Sequence, residues 1–455
     1  MDLYNFSVDL CEYFINICFT ELHRENMENH RGILILFYKQ FVLFRKPQLY
    51  IKKMRSLAIA FVFSIFCICT VNAQDGTNWR GPELNGIYPE TGLLDKWPDE
   101  GPAIVWHFDG LGGGYSSPVF AGGKIYLTGM EGTTGYVYCL SNQGKLLWRK
   151  PYGSEWSGSY SGSRSSPKIV DGKLYIMSAH GGLVCMDAGS GNILWTRNLL
   201  KDFNGRNITW GMTENLVVYN DKVICTPGGA RNNIVALNRN NGSLIWSSGG
   251  KGDPSAYCSP LIVKLPGRTL FVTITANHII GINADNGDVL WSHPQTNRYS
   301  VHANTPIYND GYLYCFSGYG RGGVKLKLNA DGSSVTKVWT NKTIDSRIGG
   351  AVLVDGMIYG SGDQHPAWQC VDWETGKQKY TFTAISKGNV IFADGKLYCY
   401  SERGELAMMK PLPDRFELRG LIRVTMGSGP HWAHLVIHEG ILYVRHGNVL
   451  IAYKI

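Results

Sequence analysis

Four arginines and four histidines, Arg164, Arg231, Arg321, Arg347 and His180, His302, His365, His431, return along the chain in the company of Tyr115, Trp210 and Tyr257. Glu214 is one of the few carboxylates set among them. A guanidinium presents its donors as a planar fork that matches carboxylate, sulfate or phosphate oxygens, and an aromatic face beside it adds stacking surface. The chemistry such a set offers is recognition of an anion. General acid–base work would need a carboxylate or histidine placed against a substrate proton, and paired carboxylates are missing from the set. Taken singly, each loop cation is a solvated side chain by default, and Arg164 and Glu214 stand where they could pair with each other. Convergence is what would make the group a site, so the question becomes which elements bring these residues together.

A repeat does. Residues 116–148, 165–195, 214–246, 259–291 and 305–339 carry the same phrase, and 350–380 and 389–422 are worn copies. Each unit occupies roughly 40 to 50 residues, the length of a propeller blade. Within one unit, Ile169-Val170-Asp171-Gly172-Lys173-Leu174-Tyr175-Ile176 reads as strand, two-residue turn and strand, because β-branched and aromatic residues flank a turn that favours positive φ. Val184 to Trp195 adds two more strands around a glycine turn. Four antiparallel strands cannot bury both faces alone, so neighbours must stack into a ring. The C-terminus, from Leu435 to Ile455, supplies three strands of an eighth unit, and Ala103 to Phe108 supplies its fourth. The expected fold is all-β, an eight-bladed β-propeller closed by pairing this N-terminal strand with the C-terminal strands, over residues 103–455. Aligning the units places Tyr115, Arg164, Trp210, Glu214, Tyr257, His302, Arg347 and His431 just before the first strand of a blade. His180, Arg231, Arg321 and His365 fall in loops between second and third strands. Both sets belong to one mouth of a central channel, where a concave rim focuses its field on anions.

Composition agrees: 55 Gly, 25 Tyr and 13 Trp with 18% charged residues describe turn-rich, aromatic-packed β structure. The net charge of +8 comes without a Lys/Arg run or an RNA-binding aromatic signature, which argues against nucleic acid as partner. Lys52-Lys53-Met54-Arg55, an apolar run from Leu57 to Cys69 and Val71-Asn72-Ala73 have the three-part layout of a secretory signal. Residues 1–53 are therefore expected to be a non-native upstream extension, 54–73 a signal peptide and 74–102 a lead-in segment. If 1–53 are genuine, the apolar stretch 33–44 needs another explanation. Cys67 and Cys69 lack the neighbours of a lipoprotein box, so the mature chain is expected to be exported to the periplasm or beyond, without a membrane span, as a monomer.

Other constellations are thinner. Cys225, Cys315 and Cys399 share one repeat position and Cys139, Cys185 and Cys370 another, the behaviour of small core residues rather than a disulfide or metal set. The tryptophans at 148, 195, 246, 291 and 339 end the outer strands and read as packing staples. Gly110–Gly114 and Gly318–Gly323 lack the Lys-Ser/Thr of a phosphate loop, and His431, His434 and His438 lie in a β pattern that does not gather them as zinc ligands do.

The phrase Asn283-Ala284-Asp285-Asn286-Gly287-Asp288-Val289-Leu290-Trp291 resembles the pyrroloquinoline-quinone (PQQ) repeat, found in eight-bladed quinoprotein alcohol dehydrogenases and in the scaffold lipoprotein of the outer-membrane β-barrel assembly machine. Trp79-Arg80-Gly81-Pro82, Ser163-Arg164-Ser165-Ser166-Pro167, Trp210-Gly211-Met212-Thr213-Glu214 and Thr226-Pro227-Gly228-Gly229 are similar to segments of exported PQQ-like propeller proteins. The resemblance implies the fold and leaves two functions open. One is a secreted, non-catalytic binding or scaffold propeller whose cationic, aromatic mouth takes an anionic glycan, an acidic peptide or a partner protein. The other is a PQQ-dependent oxidoreductase acting on alcohols or polyols, with PQQ and Ca²⁺ as cofactors. For the second, Glu214 and the more distant Asn304 are the only oxygen ligands in place, and the vicinal disulfide and haem motif of those dehydrogenases have no counterpart. No catalytic residue or metal ligand is carried over.

Overall fold

The computed structural model describes residues 78–455; the expectations for 1–53 and 54–73 lie outside the described residues. Eight four-stranded antiparallel sheets make up the fold. Blade 1 runs Val119–Ala121, Lys124–Glu131, Thr134–Ser141 and Leu146–Ser154, and blades 2 to 7 follow over 168–198, 217–248, 261–294, 307–341, 351–382 and 388–423. Blade 8 combines Val436–His438, Ile441–His446 and Val449–Lys454 with Ile104–Phe108 as its outer strand. That strand pairs antiparallel with the last one, Phe108 opposite Leu450 and Trp106 opposite Ala452. One apolar cluster continues from blade 7 (Tyr398, Met408) through blade 8 (Leu442, Val444, Leu450) into blade 1 (Phe120, Leu127, Tyr138). Among the described residues no helix is long and apolar enough to cross a membrane.

Local chemistry explains the hairpins. Asp171-Gly172, Asp355-Gly356 and Asp394-Gly395 each take two consecutive positive φ values, the two-residue turn whose twist matches the flanking strands. A second device was not visible in the repeat pattern. In every blade the outer strand slips register by one residue just before the staple position, which holds an aromatic in all but blade 7, where Gly420 stands, as between Cys139/Leu140, Ala236/Leu237, Ile104/Trp106 and Met408/Met409. The extra residue is a β-bulge. It leaves aliphatic neighbours such as Leu146 and Leu147 both facing solvent and twists the outer edge away from regular pairing.

The tryptophans staple blade to blade through one repeated contact. Nε1 of Trp106, Trp148, Trp195, Trp246 and Trp339 donates to a carbonyl in the third-to-fourth-strand turn of the following blade, that of Asn142, Gly189, Arg239, Ala284 and Trp373 in turn. Tyr380 does the same with its hydroxyl, to Leu412 O. The indole lies flat on that turn's glycine: a Cβ at Gly287 would sit 2.6 Å from Trp246 Cε3, at φ +83. Gly287→Ala is therefore expected to strain the backbone and lift the indole, lowering stability by about 1–3 kcal/mol. Chemical denaturation checks this, with Gly267→Ala, at positive φ over open space, separating the backbone part from the packing part. All seven described cysteines are free and buried, the six at repeat positions as those positions imply, with Cys258 the seventh.

Candidate functional site

Inner strands are short, three residues in blades 1, 2, 3, 5 and 8, so the segments that precede them carry the side chains around the channel. These segments are tied into a belt. Ser117 N donates to Ser166 Oγ, Ser166 N to Asn215 Oδ1, Asn215 Nδ2 to Ser259 Oγ, Gly350 N to Asn304 Oδ1, and Val390 N to Gly349 O. Asn389 holds Leu435 N, and Ser117 Oγ donates to His434 O across the seam between blades 8 and 1. A belt of this kind fixes the mouth before any ligand arrives, which limits the ordering cost of binding.

Above the belt lies a cavity of about 440 Å³. Its walls are aromatic: Tyr115 and Tyr160 each stand 5.0 Å from Trp432, Trp210 stands 6.1 Å from Tyr257, and Tyr299 stands 4.7 Å from Tyr319. Its two cations differ. Arg164 donates Nη1 to Trp210 O (3.1 Å) and Nη2 to Tyr160 O (2.5 Å), and its guanidinium carbon is 5.7 Å from the centre of the Tyr115 ring. Among the described residues it forms no ion pair, and burial lowers its pKa from the ordinary value. Arg347 is enmeshed in carboxylates, with Nε 3.3 Å from Asp363 and Nη2 3.0 Å from Glu402. Lys387 bonds the same Asp363 and lies 3.9 Å from Glu402. Two positive and two negative charges therefore cancel on that side.

The lead-in segment supplies the floor. Trp79 lines the cavity, edge-on to His434 at 5.1 Å, and Arg80, fully buried, donates to Ala351 O at 2.7 Å and reaches His434 Nδ1 at 3.5 Å. His434 Nε2 donates to Ile348 O at 2.7 Å, so Nδ1 is the lone-pair nitrogen facing the guanidinium. Burial first and Arg80 second push its pKa down to about 3, and the ring is neutral.

Of the twelve residues expected at the mouth, Tyr115, Arg164, Trp210, Tyr257 and Arg347 line the cavity. The others lie elsewhere. The lining alternates, 115 and 117, 164 and 166, 213 and 215, 257 and 259, 301 and 303, 432 and 434, because side chains of an extended segment point to opposite faces. Glu214 and His302 occupy the skipped positions. Glu214 turns back into its own blade, accepting from Thr226 N at 2.9 Å and Thr226 Oγ1 at 3.0 Å, and burial raises its pKa to about 8. The pair with Arg164 is not formed, since an acid made neutral by burial has no charge to offer. His302 is fully buried with Nε2 3.2 Å from Ala276 O, and burial lowers its pKa to about 4. His431 stacks on His446 at 3.7 Å and meets Tyr400 Oη. Exposed His180 contacts Asn207, Arg321 reaches Pro294 O, and Arg231 and His365 are exposed away from the cavity. Residues not foreseen are Tyr160, Tyr299, Tyr319, Trp79, Asp363 and Glu402. Only Trp79 carried a signal, the Trp-Arg-Gly-Pro segment.

Calcium-bound PQQ does not fit this lining. A hard cation takes several oxygen ligands, and alcohol oxidation needs a free carboxylate as base, yet the cavity wall contains no Asp or Glu. Glu214 and Glu155 lie behind the wall, Glu155 bonded by Tyr152 and by Ala179 N. Among the described residues no group of three His, Cys, Asp or Glu stands close enough to hold a metal.

Eight radial sheets, tryptophan staples and a stitched throat define a PQQ-type β-propeller. The family described as outer membrane protein assembly factor BamB matches residues 133–382. This chain belongs to that family. Similar proteins include BamB of Yersinia pestis, 26% identical over 171 residues, which are 35% of this chain and 39% of the relative. BamB of Escherichia coli is 30% identical over 30% of this chain and 31% of its own length. Quinoprotein ethanol dehydrogenase of Pseudomonas aeruginosa is 28% identical over 26% of this chain and 18% of its own length. The chain thus spans well under half the length of these relatives. The crystal structure of BamB from Moraxella catarrhalis superposes with TM-score 0.55 at 14% identity, over 78% of this chain and all of that one. A europium-containing methanol dehydrogenase gives TM-score 0.59 at 13% identity, over 81% and 89%. Similarity at that identity carries the fold alone.

Proposed function

We propose that this chain is an exported, non-catalytic binding propeller of the BamB type, whose channel mouth holds an anionic ligand: an anionic glycan, an acidic peptide or an acidic segment of a partner protein. The observation that carries the reading is Arg164, set in an aromatic wall without an ion pair among the described residues, the one acid acting on it being Glu155, buried behind that wall. A cavity of this volume, mostly apolar with few convergent polar groups, suits a compact ligand. Names of relatives point the same way in outline, since BamB is an assembly factor. The dehydrogenase relatives favour a second reading, a PQQ-dependent alcohol oxidoreductase, and the carboxylate-free wall weighs against it.

The test is binding of the protein to arrays of anionic glycans and acidic peptides. Arg164→Glu and Trp432→Ala are expected to weaken binding at least about tenfold, the usual cost of losing a charged hydrogen bond or a central aromatic anchor. Arg231→Glu, exposed and off the cavity, should leave it unchanged. Binding indifferent to Arg164 and Trp432 defeats the mouth as the site. Incubation with PQQ and Ca²⁺, read by absorbance and melting temperature, addresses the oxidoreductase: a shift in both would revive it.

A further inference from the structure

We infer that the mouth selects a glycan that is anionic at one end only, its terminal uronate carboxylate held at Arg164 and its uncharged remainder extending across the cavity to Tyr299 and Tyr319. The inference rests on the mouth being the ligand site proposed above and concerns what that site distinguishes.

Its basis is an asymmetry between opposite walls. Arg164 precedes blade 2 and Arg347 precedes blade 6, four blades apart in a ring of eight and so facing each other across the axis. A guanidinium has five N–H donors. Arg164 gives two to the carbonyls of Trp210 and Tyr160, which hold the fork in place, and the other donors remain for an incoming carboxylate. Tyr115 shields its face at 5.7 Å and Trp432 closes the flank. In such a partly desolvated pocket a charge-assisted fork is worth more than at an open surface.

The wall opposite has the same outline and no net charge. Arg347 stands 5.9 Å from the centre of the Tyr319 ring, with Tyr299 beyond, but Asp363 and Glu402 already pair with its charge and with that of Lys387. A second anion arriving there meets an arginine whose charge is already balanced by carboxylates behind the wall. A wall with no spare positive charge withholds from a second anion the gain that Arg164 gives the first, and such a difference is what specificity consists of. What this half offers is ring surface. Tyr and Trp present an apolar face with a polar edge, which suits the C–H face and hydroxyl rim of a pyranose. An extended peptide would bring amide groups into the cavity, where Ser117, Ser166, Asn215 and Ser259 already bond one another in the belt.

Calorimetric titration of the intact protein uses three probes: a glucuronosyl-glucose disaccharide, its methyl ester, and a diglucuronate. The mono-uronate is expected to bind at least about tenfold tighter than the ester, the worth of one charged hydrogen-bonded contact, and tighter than the diglucuronate. Arg164→Gln should erase the difference between acid and ester. Glu402→Gln should raise diglucuronate affinity and leave the mono-uronate unchanged, a gain that misfolding cannot mimic. Equal or tighter binding of diglucuronate, or an acid-to-ester ratio indifferent to Arg164→Gln, overturns the inference. If an acidic peptide or polygalacturonate binds in a Trp432-dependent way while no disaccharide is discriminated, the one-ended glycan is wrong and the mouth remains a site. If nothing binds in that way, both fall.

Discussion

Arg445→Ala is expected to lower the stability of the propeller by about 3–5 kcal/mol, the combined cost of several buried carbonyls left without donors and of the void that opens. Arg445 lies in the second strand of blade 8 and has no solvent exposure. Its Nε donates to Gly447 O at 2.9 Å, Nη1 to Ser116 Oγ at 2.5 Å and Thr128 O at 2.6 Å, and Nη2 to Gly112 O at 3.2 Å. Three of the four partners belong to blade 1 or the segment leading into it, so one side chain bridges the C-terminal strands to the first continuous blade. Truncation leaves buried carbonyls without donors, each costing about 1–3 kcal/mol, and opens a void against Gly114. Arg445→Lys should recover little, because an ammonium cannot reproduce a planar fork. The check is the denaturation midpoint, with Arg415→Ala as control: that arginine and Asp414 are both largely exposed, and its loss is expected to change stability by less than about 1 kcal/mol. An Arg445→Ala protein as stable as the control would mean that the seam is held by strand pairing and apolar packing alone.

How this seam was legible in the sequence, and parts of the mouth were not, has a common physical cause. Blade boundaries follow from signals that act locally. Asp171-Gly172 needs positive φ wherever it stands, and an indole such as Trp246 finds the glycine turn of the next blade at a fixed spacing, so the repeat and its split eighth unit could be read directly. Tyr115, Arg164, Trp210, Tyr257 and Arg347 could also be placed, because every segment before an inner strand faces the axis. Parity within those segments is a finer matter. A displacement of one residue exchanges faces, and Glu214 and His302 fall on the blade side between neighbours that line the cavity. Tyr160 and Tyr319 stand in connections of unequal length at φ +55 and +61, with no repeat position to mark them. Asp363 lies two residues from His365, which the alignment set in the same loop, and Glu402 had no such marker. They act through ion pairs between blades, a property of the closed ring that no single unit carries.

Buried acids and imidazoles behind the mouth give stability an unusual dependence on pH. Glu155 and Glu214 are nearly fully buried, and burial raises their pKa from 4.5 to about 7 and about 8. As pH rises from 4.5 the unfolded chain releases these protons and the folded protein keeps them, so stability is lost progressively up to about pH 8. His302 and His434 act in the opposite sense. Their pKa falls from 6.5 to about 4 and about 3, so below pH 6.5 the unfolded chain takes up protons that the folded protein refuses, and stability declines as pH drops. His431, which burial likewise lowers to about 4, adds to this limb, so the two effects balance near the ordinary imidazole range and thermal unfolding should be most resistant near about pH 6. Each net proton exchanged corresponds to about 1.4 kcal/mol per pH unit. Glu214→Gln isolates the alkaline limb. The amide keeps an acceptor for Thr226 N and can donate to Thr226 Oγ1, so the variant is expected to match the parent at pH 5 and to melt higher at pH 8. Equal losses for parent and variant between pH 5 and 8 would place the responsible ionisation elsewhere, and Glu155→Gln would then be the variant to compare. The same burial that withdraws Glu214 from Arg164 thus leaves the arginine without an ion pair at the mouth among the described residues, with the cost appearing as lost stability in alkali.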